Sequence, residues 1–322
     1  MKLCNSICLL GLCLAAGSRP ALGGDWIPSV GDSWNYNLAT PVKTNLDFDV
    51  FLIDMDDAQS TIDTLHEKGK YVVCYISIGS WEEWREDAGD FPAEALGLPL
   101  SAPWEDERWL DVNNEDLRDI MVARVQKAAS MNCDGIEPDN MDVYLYDEAS
   151  AGFDISEAEQ TVYNKWFADT RLNCRFRPNV PPTIYYVGSS RTNSYNAAIA
   201  QVHDHGMVVG LKNSVELLAD LVDSFDFAVN EQCNVYDECD VRYSTMRSIM
   251  SCRFLPQAYG TTFLAQGKPV FNVEYDTSDV DEVCAYSNDL GMDTIFKRIN
   301  LKAFVCSCVD SSRNFRCAAK VL

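Results

Sequence analysis

The segment "NCDGIEPDNMDVY", residues 132–144, concentrates acidic side chains behind a short apolar stretch. Its carboxylates belong to Asp134, Glu137, Asp139 and Asp142. Like charges at close range raise one another's pKa and resist burial, so such a group needs a physical reason. Three interpretations are open at this point: a solvated loop, a cation site, and part of a catalytic pair of acids.

Metal and serine chemistry fit this sequence poorly. An EF-hand calcium loop needs oxygen ligands at its first, third and fifth positions and Gly at the sixth. Counted from Glu137, the fifth position is Met141 and the sixth is Asp142. The chain has three histidines but no HExxH pattern, and no GxSxG motif for a serine nucleophile. We therefore predict no metal site and no serine nucleophile.

A pair of acids is the arrangement that would do chemistry without either. Glu231, in "AVNEQC", is the candidate partner of Asp139. A glycosidase needs one carboxylate to attack or to position water, and one carboxylic acid to protonate the leaving oxygen. A structural alternative stays open, in which one or both acids cap a helix or pair with Lys212.

The elements that must bring these acids together follow from the apolar periodicity. Strand-like runs alternate with helix-like segments along the chain, which is typical of a parallel α/β fold. The runs are "SWNYNL", "DFDVFLID", "KYVVCYISIGS", "CDGIEPD", "GMVVGLKN", "FDFAVNEQC", "PVFNVEYD" and "MDTIFKR". About eight strand and helix units in roughly 300 residues predict a single-domain (β/α)8 TIM barrel.

The active site of such a barrel lies at the carboxyl ends of the strands. Polar and aromatic residues follow the predicted strands at those ends, and Trp34 is a candidate platform for stacking a sugar ring. Besides the catalytic pair, the predicted substrate contacts are Trp34, Asp54, Tyr75, Glu137, Asn140, Asp142, Lys212, Asn213, Asn230, Glu274 and Tyr275.

The amino terminus and the cysteines indicate export. Residues 1–24 carry Lys2, the apolar run "ICLLGLCLAAG" and small residues after it, which is the pattern of a secretory signal peptide. We expect residues 25–322 to form the mature, extracellular domain, with no membrane association after signal removal. Ten cysteines remain there, and an even number in an exported chain favours disulfides. Cys233 and Cys239 are near enough in sequence to close a small loop.

The charge of the chain limits its partners. A formal net charge of −23 repels phosphate-rich ligands, so nucleic acid and anionic lipid are not expected. A cationic polymer would be attracted, although acidity of this size is also an ordinary property of secreted proteins. We expect a monomer.

An ordered series of motifs closely resembles the glycoside hydrolase family of endo-α-1,4-polygalactosaminidases. The series is "SWNYNL", "VFLIDMDD", "VVCYISIGSWEEWREDAGDFP", "RWLDV", "CDGIEPDNMDVY", "VGLKNS", "DFAVNEQCNVYDEC" and "FNVEYDTS". The resemblance implies a (β/α)8 glycosidase that cleaves α-1,4 bonds inside galactosamine-containing exopolysaccharide without a cofactor. It also implies that Asp139 is the nucleophile and Glu231 the acid/base of a retaining mechanism. The cationic partner would then be this aminosugar polymer.

Some features depart from the family pattern. Glu137 stands where Asp is expected, which could reshape a sugar subsite. Residues about 171–201 are an atypical insertion, interpreted as a lid, an extra hairpin or a gene-model error. Residues about 303–322 form a cysteine-rich tail outside the resemblance. A secreted lectin-like barrel that binds aminosugar polymer without cleaving it is the alternative function.

Overall fold

A computed structural model describes residues 26–57, 59–168, 202–239, 259–275, 279–302 and 305–308. The predicted signal peptide and the predicted insertion at 171–201 lie outside the described residues, as does most of the cysteine-rich tail.

Twelve strands are present in the described residues. They are β1 (Trp34–Asn37), β2 (Val50–Asp54), β3 (Tyr71–Ser77), β4 (Ser80–Glu82), β5 (Leu96–Pro99), β6 (Glu107–Leu110), β7 (Gly135–Asp139), β8 (Val208–Lys212), β9 (Phe227–Glu231), β10 (Val270–Tyr275), β11 (Asp293–Lys297) and β12 (Cys306–Ser307).

The α-helices lie between the strands in sequence. They are α1 (Gln59–Glu67), α2 (Leu117–Ser130), α3 (Glu148–Ala151), α4 (Glu157–Ala168), α5 (Leu218–Leu221), α6 (Cys233–Tyr236) and α7 (Val280–Leu290). Short 3-10 helices span Ala88–Asp90, Ala93–Ala95, Val143–Leu145, Val202–His205, Val215–Leu217, Val222–Ser224, Tyr259–Thr261 and Leu264–Gln266.

The main sheet has the strand order β1-β2-β3-β7-β8-β9-β10-β11-β12. The eight strands from β1 to β11 run parallel to their neighbours, and β12 is antiparallel to β11. The sheet curls so that its ends meet: Trp34 Nε1 donates to the Asp293 carbonyl at 3.0 Å, and Lys297 Nζ donates to Asn35 Oδ1 at 3.2 Å. This α/β architecture is consistent with the predicted (β/α)8 type.

Apolar side chains fill both faces of the sheet, as expected for parallel strands buried on both sides. Because successive strand residues point to opposite faces, one set of residues packs inside the curl and the alternate set packs against the helices. The inner set includes Trp34, Leu52, Val73, Val229 and Val273.

A second, three-stranded antiparallel sheet in the order β4-β6-β5 lies between β3 and α2 in sequence. The sequence did not predict it, because the segment from Ser80 to Leu110 has no extended apolar alternation. Its strands are only three or four residues long. The loop between β1 and β2 contains no helix, so this unit departs from strict alternation.

Disulfides join Cys74 to Cys133, Cys233 to Cys239, and Cys284 to Cys308. The predicted small loop closed by Cys233 and Cys239 is thereby confirmed. Among the described residues, every helix is too short or too polar to cross a bilayer.

The carboxyl group of Asp293 gives the fold a testable pH dependence. This residue is buried, and neither carboxyl oxygen has a hydrogen-bond partner. Burial, together with Asp49 and Asp32, raises the pKa of Asp293 from its ordinary 3.8 to about 8. The folded protein therefore retains a proton that the unfolded chain releases, so the free energy of unfolding falls as pH rises from about 4 to about 8.

Asp293→Asn is expected to remove this contribution. Urea denaturation should show the variant more stable than the wild type by a few kcal/mol at pH 8 and nearly equal at pH 4. An equal difference at both values would show that the Asp293 carboxyl does not carry this pH dependence.

Candidate active site

A cleft of about 650 Å³ opens at the carboxyl ends of the parallel strands. In barrel enzymes this is the end that carries the active site. The predicted site residues that line it are Asp54, Tyr75, Asp139, Asn140, Asp142, Asn213 and Glu231. The two predicted catalytic acids end β7 and β9, which lie on either side of β8.

Asp139 is held by two donors. Tyr75 Oη donates to Oδ2 at 2.9 Å, and Lys212 Nζ donates to Oδ1 at 2.9 Å. Burial acts to raise the pKa of the Asp139 carboxyl, but the Lys212 ammonium and these hydrogen bonds outweigh it and leave the pKa below its ordinary value. Asp139 is therefore an ionised carboxylate at neutral pH, as a nucleophile must be.

Glu231 faces Asp139 across the same lysine. Tyr275 Oη donates to Glu231 Oε1, and Lys212 Nζ lies 3.4 Å from Glu231 Oε2. Since Lys212 Nζ is 2.9 Å from Asp139 Oδ1, the two carboxylate oxygens are at most the sum of these distances, 6.3 Å, apart. Two acids distant in sequence thus share one small volume at the cleft.

Lys212 is buried beneath the pair, with a side chain only 1% exposed. Its Nζ also lies 3.0 Å from Glu137 Oε1 and donates to Tyr36 Oη at 3.3 Å. Burial acts to lower the pKa of Lys212, but Asp139, Glu137 and Glu231 together raise it well above its ordinary value. The lysine is therefore a fixed positive charge.

Glu137 is completely buried beside Lys212. Burial raises the pKa of its carboxyl to about 7, with Asp139 and Glu231 adding to the shift and Lys212 opposing it. Glu137 and Lys212 do not line the cleft. Both were predicted as substrate contacts, and the structure places them beneath the acids that line the cleft, with Glu137 in contact with Lys212.

The tyrosines that hold the acids remain protonated. Burial raises the pKa of Tyr75 and of Tyr275 well above the ordinary value. The adjacent Asp139 raises the pKa of Tyr75 further, and Glu231 does the same for Tyr275. Each phenol is therefore a permanent donor. Tyr275 is nearly buried and contacts Glu231 rather than the open cleft, so the structure places it as a support for that acid.

Two asparagines in left-handed backbone conformations shape the rim. Asn213, with φ 46°, accepts a hydrogen bond from the Glu231 backbone N–H at 3.0 Å through its side-chain oxygen. Asn140, with φ 58°, follows Asp139 directly. Gly79 lies so close that a Cβ there would stand 1.7 Å from the Asn140 carbonyl oxygen, so only glycine allows this approach.

The remaining acids at the cleft differ in their partners. Asp54 is paired with Arg85, whose guanidinium donates to its two oxygens at 2.6 and 2.9 Å. Asp142 makes no ion pair with any residue in the described part of the chain. Burial and the neighbouring Asp139 raise the pKa of Asp142 to about 7.

Three further predicted contacts, besides Glu137, Lys212 and Tyr275, are absent from the cleft lining. Trp34 is fully buried and bonds to the Asp293 carbonyl at the opposite end of the strands. Asn230 donates to Tyr259 Oη at 3.0 Å, and Glu274 Oε1 accepts from the Asn234 backbone N–H at 2.9 Å. Both immediately precede a residue that faces the site, so their own side chains point to the helix side.

One protein-family profile covers most of the chain. The profile of glycoside-hydrolase family GH114 matches residues 15–173 and 187–313. The chain belongs to family GH114. It is therefore a glycoside hydrolase. The interruption of the match lies within the segment predicted as an insertion, whose nature stays a prediction.

Solved structures resemble this GH114 chain over most of its length. The crystal structure of Aspergillus fumigatus Ega3 in complex with galactosamine is 27% identical, with a TM-score of 0.68, covering 89% of this chain and 99% of that one. The glycoside hydrolase domain of PelA from Pseudomonas aeruginosa is 14% identical, with a TM-score of 0.54, covering 85% and 97%. The PelA likeness shows a shared fold. A search of curated protein sequences gave no match.

The structure adds residues that the sequence did not single out for this GH114 site. The three-stranded sheet and its turns contribute Glu82, Leu100, Ser101, Trp104, Glu107 and Trp109 to the cleft wall. The cluster of acids and aromatics in "PWEDERWL" was the one hint in the sequence that this segment contributes to the site. The hint was not enough to predict site residues, because nothing in the sequence shows that this segment folds over the cleft.

Proposed function

We propose that this protein is a secreted endo-acting glycoside hydrolase that cleaves internal α-1,4-galactosaminidic bonds of galactosamine-rich exopolysaccharide with retention of configuration. The observation that carries the proposal is the pair Asp139 and Glu231, held within reach of one buried ammonium at an open cleft. Membership of GH114 and the likeness to Ega3, whose structure holds galactosamine, support it.

In the proposed mechanism, Asp139 attacks the anomeric carbon while the bond to the leaving oxygen breaks and Glu231 gives that oxygen a proton. Glu231 then takes a proton from water, and the water oxygen displaces Asp139 from the anomeric carbon. Retaining enzymes have carboxyl groups about 5–5.5 Å apart, and inverting enzymes about 6.5–9.5 Å. Their shared contact with Lys212 places one oxygen of each acid within 6.3 Å of the other, a close approach that a retaining pair requires.

A purely structural role for the pair is the alternative, because both acids contact Lys212. Their exposure argues against it. The side chains of Asp139 and Glu231 are 20% and 29% exposed, whereas that of Glu137, bound to the same lysine, is fully buried. A carboxylate that served only to neutralise Lys212 would gain nothing from facing the cleft.

An unpaired acid at the cleft favours a cationic sugar. Asp142 lines the cleft and has no ion-pair partner among the described residues. A deacetylated galactosamine unit carries an ammonium group near neutral pH, and the Asp142 carboxylate is placed to attract it. The net charge of −23 attracts the polymer over a longer range.

The proposal includes export and chain organisation. Residues 1–24 would be removed as a signal peptide, and residues 25–322 would form one closed (β/α)8 domain that acts outside the cell as a monomer without a cofactor. The three disulfides of the described residues are typical of an oxidising compartment and support this location.

Incubation of the purified protein with partly deacetylated α-1,4-galactosamine polymer tests the function. Endo cleavage should lower the viscosity early and release a series of oligosaccharides visible by mass spectrometry. Binding of the polymer without any release of oligosaccharides would favour the lectin-like alternative and end the proposal.

Asp142→Asn is expected to weaken recognition of the ammonium group. The KM for the deacetylated polymer should rise about tenfold, because one charge-assisted hydrogen bond is lost, whereas the KM for a highly acetylated polymer should change less than about twofold. Reducing-end assays on both polymers measure this. Asp154→Asn, at an exposed position that is not among the residues lining the cleft, is the control. Equal losses on both polymers would contradict ammonium recognition by Asp142.

A further inference from the structure

A chain of polar side chains connects Glu107, on the three-stranded sheet, to Asn140, next to Asp139. Ser80 Oγ donates to Glu107 Oε2 at 2.6 Å and lies 2.7 Å from Ser77 Oγ. Asn140 Nδ2 lies 3.1 Å from Ser77 Oγ and 3.0 Å from Ser80 Oγ. We name these four residues the Glu107 relay.

The hydrogen atoms available in the relay fix its direction. An ionised carboxylate only accepts hydrogen bonds, and a serine hydroxyl has a single proton to donate. If Ser80 gives its proton to Glu107, it can only accept from Ser77 and from Asn140. Ser77 then gives its proton to Ser80 and also accepts from Asn140. The amide nitrogen of Asn140 must therefore face both serines.

This orientation leaves Asn140 Oδ1 for the cleft. Asn140 lines the cleft, and no described residue donates a hydrogen bond to this oxygen. The oxygen belongs to the residue directly after Asp139, so a sugar bound for attack by Asp139 passes beside it. A carbonyl oxygen at that position accepts a hydrogen bond from a hydroxyl or an ammonium group, whereas a reversed amide would present donors to the same groups.

Glu107 is a buried acid without a cation to neutralise it in the described part of the chain. It is 5% exposed and forms no ion pair in the described part of the chain, and its cross-strand neighbour is another acid, Glu82. Burial, with Glu82, Asp139 and Asp106 adding to the shift, raises the pKa of Glu107 to about 7 despite the hydrogen bond from Ser80. A buried carboxyl group without a cation costs stability, which marks it as a functional candidate.

We propose that Glu107 is a positioning residue: acting through Ser80 and Ser77, it holds the Asn140 amide with its oxygen towards the cleft, where that oxygen accepts a hydrogen bond from the sugar bound at Asp139. The proposal rests on the proposed function for the identity of the ligand, a galactosamine unit. It assigns Glu107 a role through Asn140 rather than direct contact with the sugar.

Two substitutions at position 107 separate these roles. Glu107→Leu removes the acceptor and frees Ser80 to donate to Asn140, so the KM for deacetylated galactosamine polymer should rise about tenfold with kcat changed by less than about threefold. Glu107→Gln keeps an acceptor oxygen for Ser80, and its KM should stay within about threefold of wild type. If Glu107 bound the ammonium by its charge, the Gln variant would lose as much as the Leu variant, which would overturn the proposal.

A double-mutant cycle tests whether the effect passes through Asn140. Asn140→Gly removes the amide and suits the positive φ, and should raise the KM about tenfold. Adding Glu107→Leu to Asn140→Gly should then have almost no further effect. A product of the two single effects, about a hundredfold, would contradict the relay. Glu105→Gln, an exposed acid two residues away, should leave the KM unchanged.

Neutron diffraction on crystals of the wild-type protein locates the hydrogen atoms of the Glu107 relay without any substrate. Deuterium on Ser80 Oγ should point to Glu107, and both Asn140 deuterons should lie on the atom that faces the serines. An Asn140 oxygen facing the serines would overturn the relay even if the protein is active. Absence of polymer cleavage with the expected deuterium positions would instead reject the proposed function and leave the relay established.

Discussion

Asp139→Asn and Glu231→Gln are each expected to reduce kcat on deacetylated galactosamine polymer by about a thousandfold or more. Each variant keeps the size of the side chain but removes the nucleophile in one case and the proton donor in the other, and a single general acid or base contributes about 10²–10⁴ to rate. Reducing-end assays against the wild type measure the loss. Asp154→Asn, at an exposed position, should retain full activity.

The roles of the two acids can be separated with an activated aryl galactosaminide and azide. Glu231→Ala should regain turnover, because azide attacks the glycosyl-Asp139 intermediate without needing a base, and the glycosyl azide should keep the original configuration. Asp139→Ala with azide should give the inverted product. The reverse pattern would exchange the roles of the two residues, and unimpaired activity in either variant would remove it from the catalytic pair.

Lys212→Met is expected to give the largest loss of stability. It removes the ammonium group that lies between Glu137, Asp139 and Glu231 and leaves these acids with no cation partner among the described residues, which costs about 3–5 kcal/mol. Urea denaturation measures the change. Lys43→Met, at an exposed position, should change the free energy of unfolding by less than about 0.5 kcal/mol.

A second substitution shows whether charge is the cause. Glu137→Gln in the Lys212→Met background removes the most deeply buried of the three acids and should recover part of the loss, on the order of 1–2 kcal/mol. In the wild-type background, Glu137→Gln should be neutral or destabilising. If the changes in the free energy of unfolding caused by the two substitutions are simply additive, Lys212 stabilises the fold by packing rather than by compensating charge.

The strands and the juxtaposition of the two candidate acids could be predicted because parallel strands leave a strong signal. Apolar runs ending in polar residues located β7 and β9, and the rule that barrel sites lie at carboxyl ends of strands brought Asp139 and Glu231 together. It was harder to predict which face of each strand a given side chain occupies. Asn230 and Glu274 were predicted as contacts, yet a strand alternates its side chains, and the register that decides which residue faces the cleft is set by tertiary packing. Trp34 points inside the curl, but it lies at the amino end of β1, away from the cleft.

The wall of the cleft could not be predicted from local sequence. Glu107 and Trp109 lie on a small sheet whose strands have no clear period, and their place over the barrel mouth depends on contacts distant in the chain. The partner of Asp54 was equally hidden from the sequence. Only the fold brings Arg85 beside Asp54, and the resulting ion pair leaves this acid less available for the proposed ammonium sugar.

The configuration of the first product tests the central claim that Asp139 and Glu231 act as a retaining pair on one glycosidic bond. Proton NMR of oligosaccharides released from deacetylated α-1,4-galactosamine polymer, recorded within the first minutes, reads the new reducing end before mutarotation. We predict that the α-anomer forms first and the β-anomer grows in later. A β-anomer at the earliest times, or no released product, would contradict the account.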